Sequence, residues 1–355
     1  MNQPADRAPE PAPGTGDHDG ASAGDRDTAA ADHDAAGSRC APGRAGMRSK
    51  SGLTAAIREG RRAALVVNTR SRRGRRLYPA VRAQLEAAGF DVLGSFPTGR
   101  AGGLGAGLAA AMDLQPDLLI VGGGDGTISE AARCLAYRDM ALGLVPLGTT
   151  NNFARTLSIP LDVPGAIGVL AAGKVADVDL GKAGDAVFAN LVSAGLSSRV
   201  ATVVPHRLKR VAGRAAYPLT ALAALPRHRP MHASITAGGR QYSLDTHQLN
   251  IANGGFHAGR PITGDTGADD RLLLVYRLGG PTRRALIGAT VRHAVLGAHR
   301  TLTEPAFLAV SELWLDTDPP LPLDVDGEIR AHTPARITLA AQALRVMVAP
   351  SFHDT

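Results

Sequence analysis

Asp117-Leu118-Leu119-Ile120-Val121 runs directly into Gly122-Gly123-Gly124-Asp125-Gly126-Thr127. A short apolar run bounded by glycines reads as a buried strand closed by a tight turn. Thr127 to Leu135 then repeats apolar positions at helical spacing. Glycines let the backbone approach a ligand closely and adopt positive φ, and a helix N-terminus offers unpaired N–H groups to an anion. By mechanism this is a phosphate cradle. It is not the Walker pattern, because no Gly-Lys-Ser/Thr follows.

The same alternation extends on both sides. Ala63 to Val67 is a short apolar strand, and residues 75–88 carry Leu77, Val81 and Leu85 at helical spacing until Gly89. Asp91 to Phe96 reads as a strand, Leu104 to Met112 as a helix, and Leu142 to Val145 as a strand ending at Pro146. Strands alternating with helices predict an α/β domain with a parallel sheet and helices on both faces. Ligands of such sheets bind beyond the carboxyl ends of the strands.

Past about residue 180 the texture changes. Strand-like pieces dominate: 187–192, 232–237, 247–252, 272–276, 307–315, 321–325 and 337–348, with helical stretches near 206–225 and 282–297. These predict a second, mainly antiparallel β-sandwich domain. The expected division is a disordered tail over 1–57, a nucleotide-binding domain over 58–182 and a β-sandwich substrate domain over 183–355. The last segment of the second domain is a candidate to return to the first.

Composition narrows the partners. The chain has 355 residues, 44% hydrophobic and 4% aromatic, with net charge +7. Residues 1–50 sum to −2, so the remainder sums to +9. The tail is rich in Ala, Gly, Asp and Pro and has too few aliphatic side chains to offset its chain entropy. A basic surface attracts polyanions such as nucleotide phosphates or anionic lipid. Nucleic acid is not expected, because no aromatics cluster into a stacking platform. The two cysteines, Cys40 and Cys134, lack metal-ligand spacing. No apolar run reaches the length of a transmembrane helix, and the first residues lack a secretory signal.

A second motif lies at the end of the next strand. Pro146-Leu147-Gly148-Thr149-Thr150-Asn151-Asn152-Phe153-Ala154-Arg155 sets hydroxyls and amides on the same sheet edge as the glycine loop. Gly102-Gly103-Leu104-Gly105-Ala106-Gly107 only superficially suggests a dinucleotide fingerprint, since the required spacing and acidic partner are missing. Downstream, Leu323-Asp324-Val325-Asp326-Gly327-Glu328 puts two carboxylates two residues apart. On a strand they would share a face, so either Asp326 or Glu328 could take a proton from a hydroxyl.

Gly-Gly-Asp-Gly-Thr together with Pro-Leu-Gly-Thr-Thr-Asn-x-Phe-Ala resembles the catalytic domain of the diacylglycerol kinase family, and within it the bacterial soluble lipid kinases. The resemblance covers roughly residues 62–350. It implies ATP held by Asn68, Thr98, Gly124, Asp125, Gly126, Thr127, Ile128, Ser129, Glu130 and Thr149, with catalytic Mg²⁺ near Asp125. It implies that Glu328 accepts the proton of a lipid hydroxyl. Ala268-Asp269-Asp270-Arg271-Leu272 resembles a segment that binds structural Mg²⁺, which implies ligation by Asp270 with the carbonyls of Gly267 and Leu272. Asn253-Gly254-Gly255 resembles the family's Asn-Gly turn. Such kinases are cytoplasmic and meet a lipid substrate peripherally at the inner membrane face. Leu208 to Ala224, basic and apolar at helical spacing, is a candidate for lying on that surface. Two alternatives stay open. One is a kinase for a soluble substrate such as NAD. The other is a non-catalytic or altered-specificity lipid- or nucleotide-binding relative, consistent with Asn152 and Arg271 where the family has Asp and Gly. Neither the lipid nor the oligomeric state can be read from the sequence.

Overall fold

The computed structural model describes residues 46–99, 103–196, 230–257, 260–262, 271–277, 282, 284 and 308–353. The first half winds as α1 (Lys50–Gly60), β1 (Arg62–Val67), α2 (Arg72–Ala87), β2 (Asp91–Pro97), α3 (Gly103–Asp113), β3 (Leu118–Gly123), α4 (Asp125–Leu135) and β4 (Ala141–Pro146). Next come α5 (Asn152–Thr156), α6 (Val163–Ala172) and β5 (Lys174–Ala183). β1 pairs in parallel with β2 and β3, and β3 with β4. β3 and β4 are buried along their whole length, as strands covered by helices on both faces must be. One apolar cluster fills the side holding α3 and α4, and another the side holding α1, α2 and α6. The observed α/β domain agrees with the expectation.

The second half is β6 (Ala186–Phe188), β7 (Leu191–Gly195), β8 (Met231–Ala237), β9 (Arg240–Thr246), β10 (Gln248–Asn253), β11 (Phe256–His257), β12 (Arg260–Pro261) and β13 (Leu273–Arg277). It continues with β14 (Leu308–Val310), β15 (Glu312–Asp318), β16 (Pro322–Val325), β17 (Glu328–His332) and β18 (Ala335–Val348). Six strands form an antiparallel sheet in the order β14-β13-β10-β7-β16-β17. Its apolar face packs on alternate residues of β8 and β15 (Ala233, Ile235, Leu313 and Leu315), which are fully or nearly fully buried. That is the second, antiparallel β layer the sequence predicts.

β18 joins the halves. It pairs with β15 near its start, and Val346 pairs in parallel with Leu142 of β4. β5 runs antiparallel along most of it, with a break between Ala340 and Leu344. The bulge residue Gln342 has φ 52°, and its N–H donates to the carboxylate of Asp179 at 2.5 Å. An inserted residue bends a strand and raises its local twist, so one strand serves both layers.

α1 begins at Lys50, inside the stretch that the sequence reading expects to be structureless through residue 57. Ser49 caps it by accepting the N–H of Gly52, and Leu53 and Ile57 bury its inner face. Only those two aliphatics mark the helix, which is why a composition reading misses it. The helix expected over 206–225 lies outside the described residues, as does nearly all of that over 282–297.

Candidate functional site

Because β1, β3 and β4 are parallel, the loops that follow them open on one edge of the sheet. The loop after β1 holds Asn68, whose amide donates to the hydroxyl of Thr127 at 2.8 Å. The two loops after β3 and β4 touch backbone to backbone. A Cβ on Gly148 would lie 2.4 Å from the Cα of Gly124, so only glycine permits this approach. Asn151, at φ 49°, completes the second loop by accepting the N–H of Gly148 at 3.0 Å.

Asp125 ties these loops together. Its carboxylate accepts the Thr150 hydroxyl at 2.6 Å and the Phe153 N–H at 3.3 Å. The aspartate that would repel a phosphate is thereby turned toward the second motif. Phe153 is 1% exposed and anchors α5 in the core. Asn152 is also buried.

Gly124 is the N-cap of α4 and makes no side-chain capping bond. The first amides of α4 thus keep their donors for something other than a cap. A Cβ built on exposed Gly126 meets nothing within 4 Å. An uncapped helix N-terminus below open space fits the phosphates of a nucleotide. The other positions named from sequence divide by burial. Thr149 is exposed on the second loop. Thr98 is buried, with its hydroxyl donating to the carbonyl of Val67 at 3.3 Å. Ile128 packs its side chain into the core, which leaves only its backbone on the site side.

A cleft lies where α4 meets the β16–β17 turn. Gly126, Ser129, Glu130 and Arg133 form one wall, and Val187, Val325, Asp326, Glu328 and Arg330 the other. Residues almost 200 positions apart in the chain therefore share one space. Arg330 spans it, donating to Glu328 at 2.7 Å and to Glu130 at 3.3 Å. Glu130 also pairs with Arg133. The amide of Asn190 donates to the hydroxyl of Ser129 at 3.3 Å across the same seam.

The two candidate carboxylates do not share a strand face. Asp326 sits in the turn at φ 50°. Its carboxylate accepts three backbone N–H groups, from Ala189 at 2.7 Å, Asn190 at 3.0 Å and Leu191 at 2.9 Å. Burial pushes its pKa up, and those amides with the Ser129 hydroxyl pull it partly back. Glu328 opens β17 and is exposed at the cleft. The strand on which Asp326 and Glu328 would share a face is not there, because the chain turns between them.

The Asp125 carboxylate, engaged by Thr150 and Phe153, keeps lone pairs for one bond to a hard cation beside the start of α4, which fits Mg²⁺ held mainly by phosphates and water. Among the described residues no group of three His, Cys, Asp or Glu side chains could hold a metal. Of the structural Mg²⁺ segment, Gly267 and Asp270 lie outside the described residues, and Leu272 is exposed beside Arg271 at φ 59°.

Sequence reasoning passed over Arg133 and Arg330. Their signal was present as spacing, since Arg330 follows Glu328 by two on a strand and Arg133 follows Glu130 by three on a helix. Val187 and Val325 carry no such signal, because apolar lining looks like any strand residue.

Comparison with known proteins places these features in a family. The model of the diacylglycerol kinase catalytic domain matches residues 62–183. The model of the YegS C-terminal NAD kinase beta sandwich-like domain matches residues 190–348. A diacylglycerol kinase of Staphylococcus epidermidis is 27% identical over 278 residues, covering 77% of this chain and 86% of that protein. A diacylglycerol kinase of Staphylococcus aureus is 28% identical over 285 residues, covering 78% and 88%. The crystal structure of a diacylglycerol kinase from Bacillus anthracis superposes with a TM-score of 0.65 at 23% identity, covering 82% of this chain and 98% of that one. That last likeness speaks for the fold.

Proposed function

We propose, from the premise that this chain belongs to the diacylglycerol kinase catalytic-domain family, that it transfers the γ-phosphoryl group of ATP to a hydroxyl of a diacylglycerol-like lipid. The observation that carries this reading is the single cleft shared by the uncapped start of α4 and by Glu328. A phosphate donor and a proton acceptor then face each other, which is what phosphoryl transfer to an alcohol requires.

The residues divide the work. Amides at the start of α4 hold and orient the phosphates, supported by the helix dipole. Asn68 and Thr127 brace the loop beneath them. Asp125, fixed by Thr150 and Phe153, locks the second loop against the first. Asp125 would help hold Mg²⁺, which would supply neutralisation of charge on the phosphates. Glu328 accepts the proton of the attacking hydroxyl, and Arg330 holds its carboxylate in the cleft. Asp326 holds the turn that aims Glu328. The family match and the second motif both favour this reading over a soluble substrate such as NAD.

The test is transfer of label from γ-labelled ATP with Mg²⁺ to a panel of diacylglycerol, phosphatidylglycerol, sphingosine, ceramide and NAD. Label in a lipid and none in NAD is the expected result. ATP binding with no label in any lipid would sink the proposal.

A further inference from the structure

Two ion pairs of this molecule use a guanidinium edge, two nitrogens against one carboxylate. Arg336 gives Nε and Nη2 to Glu312 at 2.7 and 2.8 Å. Arg133 gives the same two nitrogens to Glu130 at 3.3 and 2.5 Å. Arg330 is different. It uses one nitrogen for two carboxylates, with Nη2 donating to Glu328 at 2.7 Å and to Glu130 at 3.3 Å. A guanidinium carries five N–H donors. Among the described residues, the Nε–H of Arg330 and both hydrogens of its Nη1 have no partner. The side chain is 33% exposed, and it lines the cleft together with Gly126 at the start of α4.

Stability does not ask for this arrangement. Exposed ion pairs contribute little, and the two-nitrogen fork is the stronger way to make one. Among the described residues that line the cleft, the cations are Arg133 and Arg330. Arg133 has its edge closed by Glu130, whereas Arg330 keeps an edge open. Its place follows from Glu328. A base that takes the proton of a hydroxyl stands about 3 Å from that oxygen. The attacking oxygen in turn stands about 3–3.5 Å from the phosphorus. A guanidinium bonded to the base carboxylate is then a neighbour of the group in flight.

The geometry points to Arg330 as a further catalytic residue, one that touches the transferred phosphoryl group. This rests on the kinase reading, in which Glu328 is the proton acceptor. As the lipid oxygen bonds to the γ-phosphorus, the bond from that phosphorus to the bridging oxygen of ADP breaks. The hydroxyl proton goes to Glu328, and ADP leaves with the bridging oxygen. Negative charge spreads over the equatorial oxygens of the phosphoryl group on the way. Arg330 holds the base through Nη2 and meets that charge with the donors on its open edge.

The experiment compares affinity for the β,γ-imido analogue of ATP with affinity for ADP, both with Mg²⁺, in wild type, Arg330→Gln and Arg330→Lys. ADP lacks the γ-phosphate, so its affinity should stay at the wild-type value. The glutamine variant should bind the analogue about tenfold more weakly, as loss of a hydrogen bond to a charged group does. Its turnover should fall by roughly a hundredfold or more. Arg330→Lys keeps a cation but not the fork, so its preference for the analogue over ADP should also shrink. That variant carries the test if the glutamine variant does not fold. An unchanged ratio of analogue to ADP affinity in the folded variants would overturn the proposal. Reduced turnover at an unchanged ratio would leave Arg330 only to position Glu328. If wild type labels no lipid yet the variants lose the analogue selectively, the lipid-kinase reading fails and the γ-phosphate contact stands.

Discussion

On the proposed function, Asp125 and Asp326 illustrate how a carboxylate beside bound phosphates is kept from repelling them. Each is occupied by N–H or O–H donors from elsewhere in the fold, Asp125 by Thr150 and Phe153, and Asp326 by Ala189, Asn190 and Leu191. Hydrogen bonds to a charged acceptor contribute about 1.5–3 kcal/mol each way of reckoning, and leaving their donors unpaired costs a similar amount. Asp326→Asn keeps the shape but loses one acceptor oxygen and the charge. Urea denaturation should show it less stable by about 1–3 kcal/mol. Its turnover should fall far less than that of Glu328→Gln, because Asp326 aims the turn and Glu328 takes the proton. Equal losses of turnover would merge the two roles. Glu328 was legible in the sequence only through its family motif. The division of labour with Asp326 was not, because it depends on a positive-φ turn that residue spacing does not reveal.

At the scale of elements, α1 lies ahead of the residues that the catalytic-domain model matches, yet it is built into the sheet. Arg48, just before it, pairs with Asp117 at 2.6 Å and with Asp139 at 2.8 Å, at the ends of the loops that enter β3 and β4. Arg345 of β18 meets Asp139 at 2.6 Å and Asp177 at 3.6 Å. The Arg345 side chain is 7% exposed, that of Arg48 38%. Burial decides which pair matters. Arg345→Met removes the buried guanidinium from between Asp139 and Asp177 and should cost about 3–5 kcal/mol, whereas Arg48→Ala should cost about 1 kcal/mol or less. Thermal or urea unfolding of the two variants checks the order, and an Arg48 loss as large as the Arg345 loss would contradict it. The parallel strands were legible because β1, β3 and β4 are unbroken apolar runs between helical periods. α1 was not, with two aliphatics in a polar stretch. β5 also escaped, because Lys174, Asp177, Asp179 and Lys182 interrupt its pattern, while Arg345 and Gln342, which meet Asp177 and Asp179, lie far away in the chain.

Across the whole molecule, the decisive feature is a strand shared by both layers. β18 borders β4 of the α/β half and β15 of the β half, and the β16–β17 turn is thereby carried to the start of α4. The start of α4 at Gly124, the proposed phosphate cradle, and Glu328, the proposed proton acceptor, come to face one space only through that topology. Sequence motifs named both ends, and the family match agrees with them, but their meeting is a property of the fold. The measurement that tests this most directly is the kcat of Glu328→Gln alongside its affinity for ATP. Turnover should fall by roughly a hundredfold or more, as loss of a general base does, while ATP binds as tightly as to the wild type. Undiminished turnover, or a loss explained wholly by weaker ATP binding, would contradict the account.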